Sequence, residues 1–137
     1  MRTLISSFAL FCVAFGLHAE PSPKLGIRRF VSPDYPVVAR QAQVSGDVHL
    51  VVRIAVSGDV ESVRRVSGPE ILAEYAESNV RTWRFTEQTA TSEVEVVYSY
   101  QLRGPKVYGT VVPSVSLESP TRVVIVTNYL LPSGHPE

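Results

Sequence analysis

Cysteine is almost missing from this 137-residue chain: the single one, Cys12, lies inside an apolar stretch at the N-terminus. A disulfide framework is thereby excluded, as is a thiolate metal centre, and stability has to come from a packed core. Histidine is scarce too, with only His18, His49 and His135. His49 falls on the polar side of an alternating run and His135 in a proline-containing tail, and neither has a second histidine at helical spacing. Zinc ligation and histidine-based hydrolysis lack their parts. An excess of either charge is also missing, since 13 basic residues face 13 acidic ones without a basic cluster. That balance argues against nucleic acid and anionic membrane as partners. Apolar runs of membrane-spanning length, about 20 residues, are absent.

What is present begins with a short apolar run. Arg2 precedes Leu4 to Leu17, broken only by Ser6, Ser7 and Gly16, and Leu17-His18-Ala19 then gives way to Glu20-Pro21-Ser22-Pro23. This is the order of parts in a secretory signal peptide, with cleavage near Ala19 and export to the periplasm as the expectation. The alternative is an uncleaved inner-membrane anchor. A lipid-modified Cys12 fits poorly, because bulky Leu10 and Phe11 precede it. Removing residues 1–19 takes Cys12 with them and leaves a chain of single-domain size.

The rest reads as 20–31, an extended arm; 32–104, a folded domain; 105–130, a β-rich extension; and 131–137, a flexible tail. Pro33-Asp34-Tyr35-Pro36 is turn chemistry leading into a short helix, Val37 to Ala42. From Val48 the period becomes two, with Val48, Leu50, Val52, Ile54 and Val56 on one face. Ser57-Gly58-Asp59 turns the chain into a return strand, Val60 to Val66. The string Val-Ser-Gly-Asp-Val occurs at Val44 and again at Val56, bracketing one strand rather than founding a repeat.

Pro69 then opens a helix whose stripe is Leu72, Ala76, Val80 and Trp83, with Tyr75 beside it and Glu70, Glu74, Glu77 and Arg81 toward solvent. Alternation returns from Glu93 to Leu102, with Val94, Val96, Tyr98, Tyr100 and Leu102 inward. Val107 to Leu117 and Arg122 to Thr127 are β-branched runs separated by Glu118-Ser119-Pro120, an added hairpin or an extended arm. The fold class is α+β: an antiparallel sheet with two helices on one face, ordered helix-strand-strand-helix-strand, plus the β-rich extension.

Chemistry is hard to find in this pattern. Ser45 and Ser57 sit in turns where serine and glycine have structural jobs. Glu93 and Glu95 share a face, but charge on a strand margin is an ordinary defence against unwanted pairing. The glycines are scattered singly, and Asp47 and Asp59 lack the intervening ligands of a calcium loop. No catalytic residue, metal site or small-molecule cofactor is expected, and the partner should be protein.

Four pieces taken in order carry a resemblance: Tyr35-Pro36-Val37-Val38-Ala39-Arg40, Gly46-Asp47-Val48, Gly58-Asp59-Val60, and Val80-Arg81-Thr82-Trp83-Arg84-Phe85. Together they resemble the C-terminal domain of TonB, the bacterial energy transducer, over about Ser32 to Leu102. The resemblance implies docking onto TonB-dependent outer-membrane receptors by accepting an extended segment beside the last strand. That strand is Glu93 to Leu102, with Glu93, Glu95, Val97, Ser99 and Gln101 as its outward residues. Tyr35, Pro36, Gly46, Gly58, Trp83 and Phe85 are the family-motif positions, with Tyr35 and Trp83 read as core packing.

This chain departs from the family in places. Thr86-Glu87 follows Trp83-Arg84-Phe85 where the family has a nearby proline. The stretch from Glu20 to Pro33 reaches about 45 Å at ~3.3 Å per residue, too little to cross a periplasm. No serine stands at the spacing from His18 that the family's anchor has, and the extension runs past the usual domain end. Two other readings stay open: a module that forms a homodimer through its strand edges, and a short membrane-anchored transducer. The extension is expected either to cover the Glu93–Leu102 edge or to enlarge the sheet elsewhere.

Overall fold

The computed structural model describes residues 24–109 and 111–131. The expected signal peptide, the first residues of the expected arm and most of the tail, including His135, lie outside the described residues. The elements run β1 (Ile27–Arg29), α1 (Val37–Gln41), β2 (Gly46–Ile54), β3 (Val60–Ser67), α2 (Glu70–Val80), β4 (Arg84–Phe85), β5 (Ser92–Leu102), β6 (Ser114–Ser119) and β7 (Arg122–Thr127).

Alternation does in β2 what period-two patterning requires: Val48, Leu50, Val52 and Ile54 are fully buried, while Asp47 and Arg53 are exposed. Val56, which the alternation placed on the same face, is half exposed because β2 has already ended at Ile54. The turn into β3 needs a residue without Cβ. Gly58 has φ of 89°, and a Cβ there would stand 2.0 Å from the Phe85 carbonyl oxygen. This close approach lets the Phe85 N–H donate to the Gly58 carbonyl at 2.9 Å, seating the hairpin tip on β4.

Leu72, Ala73, Ala76 and Val80 of α2 are buried against the apolar face of the sheet, and Ala39 of α1 joins the same core. Each large side chain withdrawn from water there contributes about 1.5–3 kcal/mol. The sequence reading extended this stripe to Trp83, but α2 ends at Val80. Two turn bonds, Thr82 N–H to Asn79 O and Trp83 N–H to Val80 O, redirect the chain, so Trp83 enters the core from beyond the helix. Tyr75 is about half exposed instead of lying with the stripe. Glu77, assigned to solvent, forms an ion pair with Arg65 of β3 at 3.2 Å.

Trp83 also ties the end of the stretch 20–31, expected to be an extended arm, to the helix and sheet. Its indole N–H is shared between the Asn79 side-chain oxygen at 2.9 Å and the Val31 carbonyl at 3.2 Å. Phe30 packs edge-on to its ring at 5.0 Å, and β1 pairs antiparallel with β4. A buried indole needs an acceptor, and the main chain ahead of the first helix supplies one. The described part of the arm therefore packs against Trp83 and β4.

The main sheet has five strands in the order β3-β2-β5-β7-β6. The class is α+β as expected, with one difference in the sheet. β5 and β7 run parallel, because the chain passes outward to β6 before β7 returns between β6 and β5. A parallel pair requires such a crossover, and nothing in local alternation announces it.

Candidate partner-binding edge

β5 is the longest strand, and its inward residues Val96, Tyr98 and Tyr100 are buried. One side pairs with the whole of β2, from Ile54 opposite Ser92 to Gly46 opposite Tyr100. On the other side, the Val97 N–H donates to the Thr121 carbonyl at 2.8 Å, and register with β7 continues from Val97 opposite Arg122 to Leu102 opposite Thr127. Main-chain groups alternate in direction along a strand, so those of Glu93 and Glu95 turn to this same side. There β7 has not yet begun.

The five residues expected to form one exposed margin are thus divided. Glu93 and Glu95 are exposed beside the unpaired stretch, and a Glu95 carboxylate oxygen lies 2.7 Å from His49 Nδ1. Val97, Ser99 and Gln101 lie where β7 is paired. Ser99 retains only 3% of its surface, walled in between Asp47 of β2 and Val124 of β7, its partners on either side. The edge from Glu93 to Leu102 is thus partly covered. The β-branched run from Arg122 to Thr127 fills the rear half, and Glu93–Val96 stays open among the described residues. Of the two places considered for the extension, it takes the edge.

The family-motif positions build the scaffold behind this strand. The Tyr35 hydroxyl donates to the Val44 carbonyl, and its ring meets Tyr100 edge-on at 5.2 Å. Pro36 stands immediately before α1 and its carbonyl accepts the Arg40 N–H at 3.0 Å. Gly46 opens β2 opposite Tyr100. Trp83 lies 5.6 Å from Tyr98 and 6.1 Å from Phe85 between ring centres, and all three are buried. Burial pushes the Tyr35 hydroxyl up to about 12, with Tyr129 adding to the rise and Arg40 opposing it. Burial raises Tyr98 and Tyr100 as well. These hydroxyls hold their protons; those of Tyr35 and Tyr98 act as structural donors, while that of Tyr100 is buried with no hydrogen-bond partner among the described residues.

Two residues escaped the sequence reading. Asn79 accepts from the Trp83 indole and, at 2.8 Å, from the Tyr98 hydroxyl, while its amide donates to the Val31 carbonyl at 3.1 Å. A polar residue four before a tryptophan on a helix was the available signal. Arg40 is only 3% exposed, although the sequence offers a lone arginine in a short helix with no sign of burial. Among the described residues no group of three or more His, Cys, Asp or Glu side chains is placed to hold a metal ion. No helix among them is long and apolar enough to cross a membrane.

The sequence profile of the family described as Gram-negative bacterial TonB protein C-terminal matches residues 31–103. The solution NMR structure of the Pseudomonas aeruginosa TonB C-terminal domain is similar at 17% identity and a TM-score of 0.48, covering 55% of this chain and 83% of that one. No curated protein matches the chain. The family match takes in β5 and stops at Arg103, so β6 and β7 lie beyond it.

Proposed function

The chain belongs to the family of Gram-negative bacterial TonB C-terminal domains, and on that premise we propose that it is a periplasmic protein-binding domain working by strand addition. Domains of this family interact with outer-membrane receptors and serve TonB-linked transport as protein-interaction modules. For this chain the occupant is an extended segment of a partner, such as a TonB-dependent outer-membrane receptor, and no catalysis is involved. The observation that carries this reading is the pairing of β5 on its outer side. The chain's own β7 lies there as an added parallel strand over Val97–Leu102, while Glu93 and Glu95 present main-chain groups to open space. That edge accepts a strand, with main-chain hydrogen bonds for affinity and alternate side chains for selectivity.

A partner segment nucleates on the Glu93–Val96 stretch and then competes with β7 for the remainder. An attached competitor has a high effective concentration, so β7 holds back weak ligands. The N-terminal run, read as a signal peptide cleaved near Ala19, delivers the domain to the periplasm. A photo-crosslinker at Glu93, activated in cells, should capture an outer-membrane receptor in the soluble periplasmic form of the protein. Capture of inner-membrane proteins alone, by a chain retaining residues 1–19, would instead favour the anchored transducer.

Dimerisation is a second reading, carried by β6. Only one side of β6 is paired among the described residues, and its serine-rich sequence carries a single charged residue, Glu118. A stable dimer at low concentration without affinity for receptor segments would favour it.

A further inference from the structure

Arg40 is a buried cation that meets no anion among the described residues. Among the described residues its guanidinium has no carboxylate partner; Nε donates to the Asn128 carbonyl at 3.2 Å, and Nη1 reaches the Val111 carbonyl only at 3.5 Å. Nη2 is buried with no acceptor among the described residues. Burying a charge on such terms is costly unless a partner completes the site. Beside it lies a cavity of about 430 Å³, whose lining includes Arg40, Val37, Val38, Tyr75 and Val112. The last four are 55%, 50%, 47% and 85% exposed, an unusual gathering of apolar surface around one guanidinium. Val112 belongs to the extension outside the family match, so the cavity in this form is a property of this chain.

We propose that this cavity binds a partner peptide carrying one carboxylate beside an apolar side chain, with Arg40 as the carboxylate's partner. The apolar side chain packs on Val37, Val38 and Tyr75, while the carboxylate takes the place of the Val111 carbonyl. That carbonyl is the weaker of the two contacts and sits at the limit of hydrogen-bond length. A guanidinium fork suits a carboxylate, which two parallel N–H bonds engage. Asp34, exposed in the cavity lining, repels an anion in proportion to its charge, so a singly charged carboxylate suits the site better than a phosphate group. The site is a second contact surface beside the β5 edge, and because Val111, Val112 and Asn128 belong to the extension it is complete only while β7 stays paired.

N-Acetyl-leucine and its uncharged amide, N-acetyl-leucinamide, test this against the full mature protein by amide-resolved NMR titration. N-Acetyl-leucine should give saturable shifts at Val37, Val38, Tyr75 and Val112. Binding of the amide should be about tenfold weaker or more, the difference a charged hydrogen-bonded pair makes. Arg40→Gln should abolish the difference between the two compounds. Should that variant fail to fold, Val38→Asp, at an exposed position, should weaken both compounds by removing the apolar contact, and the acid more than the amide. Equal response to acid and amide, shifts centred elsewhere, or no saturable shift with either compound would overturn the proposal.

Discussion

The family domain and its C-terminal extension are built from similar β-branched sequence, yet they are held by different means. In the domain, a hairpin closed by Gly58 brings β2 and β3 together locally, and the core stacks Phe30, Trp83, Phe85 and Tyr98 at ring separations of 5.0–6.1 Å. In the extension, β7 is joined to β5 by a parallel register reached through a crossover, with Val123 and Ile125 as its buried anchors. Close by, the Arg40 guanidinium donates to the carbonyls of Val111 and Asn128. The first region is fastened by burial of large side chains, and the second by main-chain pairing over a smaller apolar contact. Such a difference suits a body that stays folded and a cover that opens.

The largest blow to the domain should come from Trp83→Ala, which removes the indole shared by helix, sheet and arm. A cost of about 3–5 kcal/mol is expected, a large part of the stability of a small domain. Urea unfolding should register it together with loss of protection in β1. A cost below about 1 kcal/mol would mean that the aromatic cluster is not what fastens this region.

The core tyrosines supply a pH dependence of known sign. Their folded-state values are raised, so between pH 10 and the folded value the native state keeps protons that the unfolded chain has lost. Stability is then complete below about pH 10 and falls above it, by ~1.4 kcal/mol per pH unit for each such tyrosine. Flat stability from pH 9 to 11 would contradict their burial.

Ile125→Val probes the extension with a lighter touch, at an expected cost of about 0.5–1.5 kcal/mol. Faster hydrogen exchange should be confined to β6 and β7, with β2 unchanged. Uniform acceleration across the sheet would make the two regions one cooperative unit and dissolve the comparison. Smallest of all is His49→Ala, expected within roughly ±0.5 kcal/mol. The His49–Glu95 contact is partly exposed, so the pair contributes little.

The same division governs what the sequence revealed. Strands β2 and β5, the hairpin turn and the buried half of α2 follow from local periodicity, because each residue's fate depends on near neighbours. The burial of Arg40, the sharing of Trp83 with Val31 and the parallel pairing of β7 depend on contacts distant in sequence. Arg122 to Thr127 reads equally well as a hairpin strand or an extended arm until its partner is known. The candidate edge was legible as a strand, and its rear half was hidden by a segment that local pattern could not place.

The central claim is that β5 is a docking edge part-covered by the chain's own β7. The direct test is the affinity for an extended receptor segment, compared between the full mature protein and a form ending at Gly104, with folding of the shorter form checked by circular dichroism. The account predicts that removing the cover raises affinity, with main-chain hydrogen-bond shifts along Glu93–Leu102. A shortened protein that stays folded and monomeric yet binds no such segment, with the full protein equally inert, would contradict strand addition as its function.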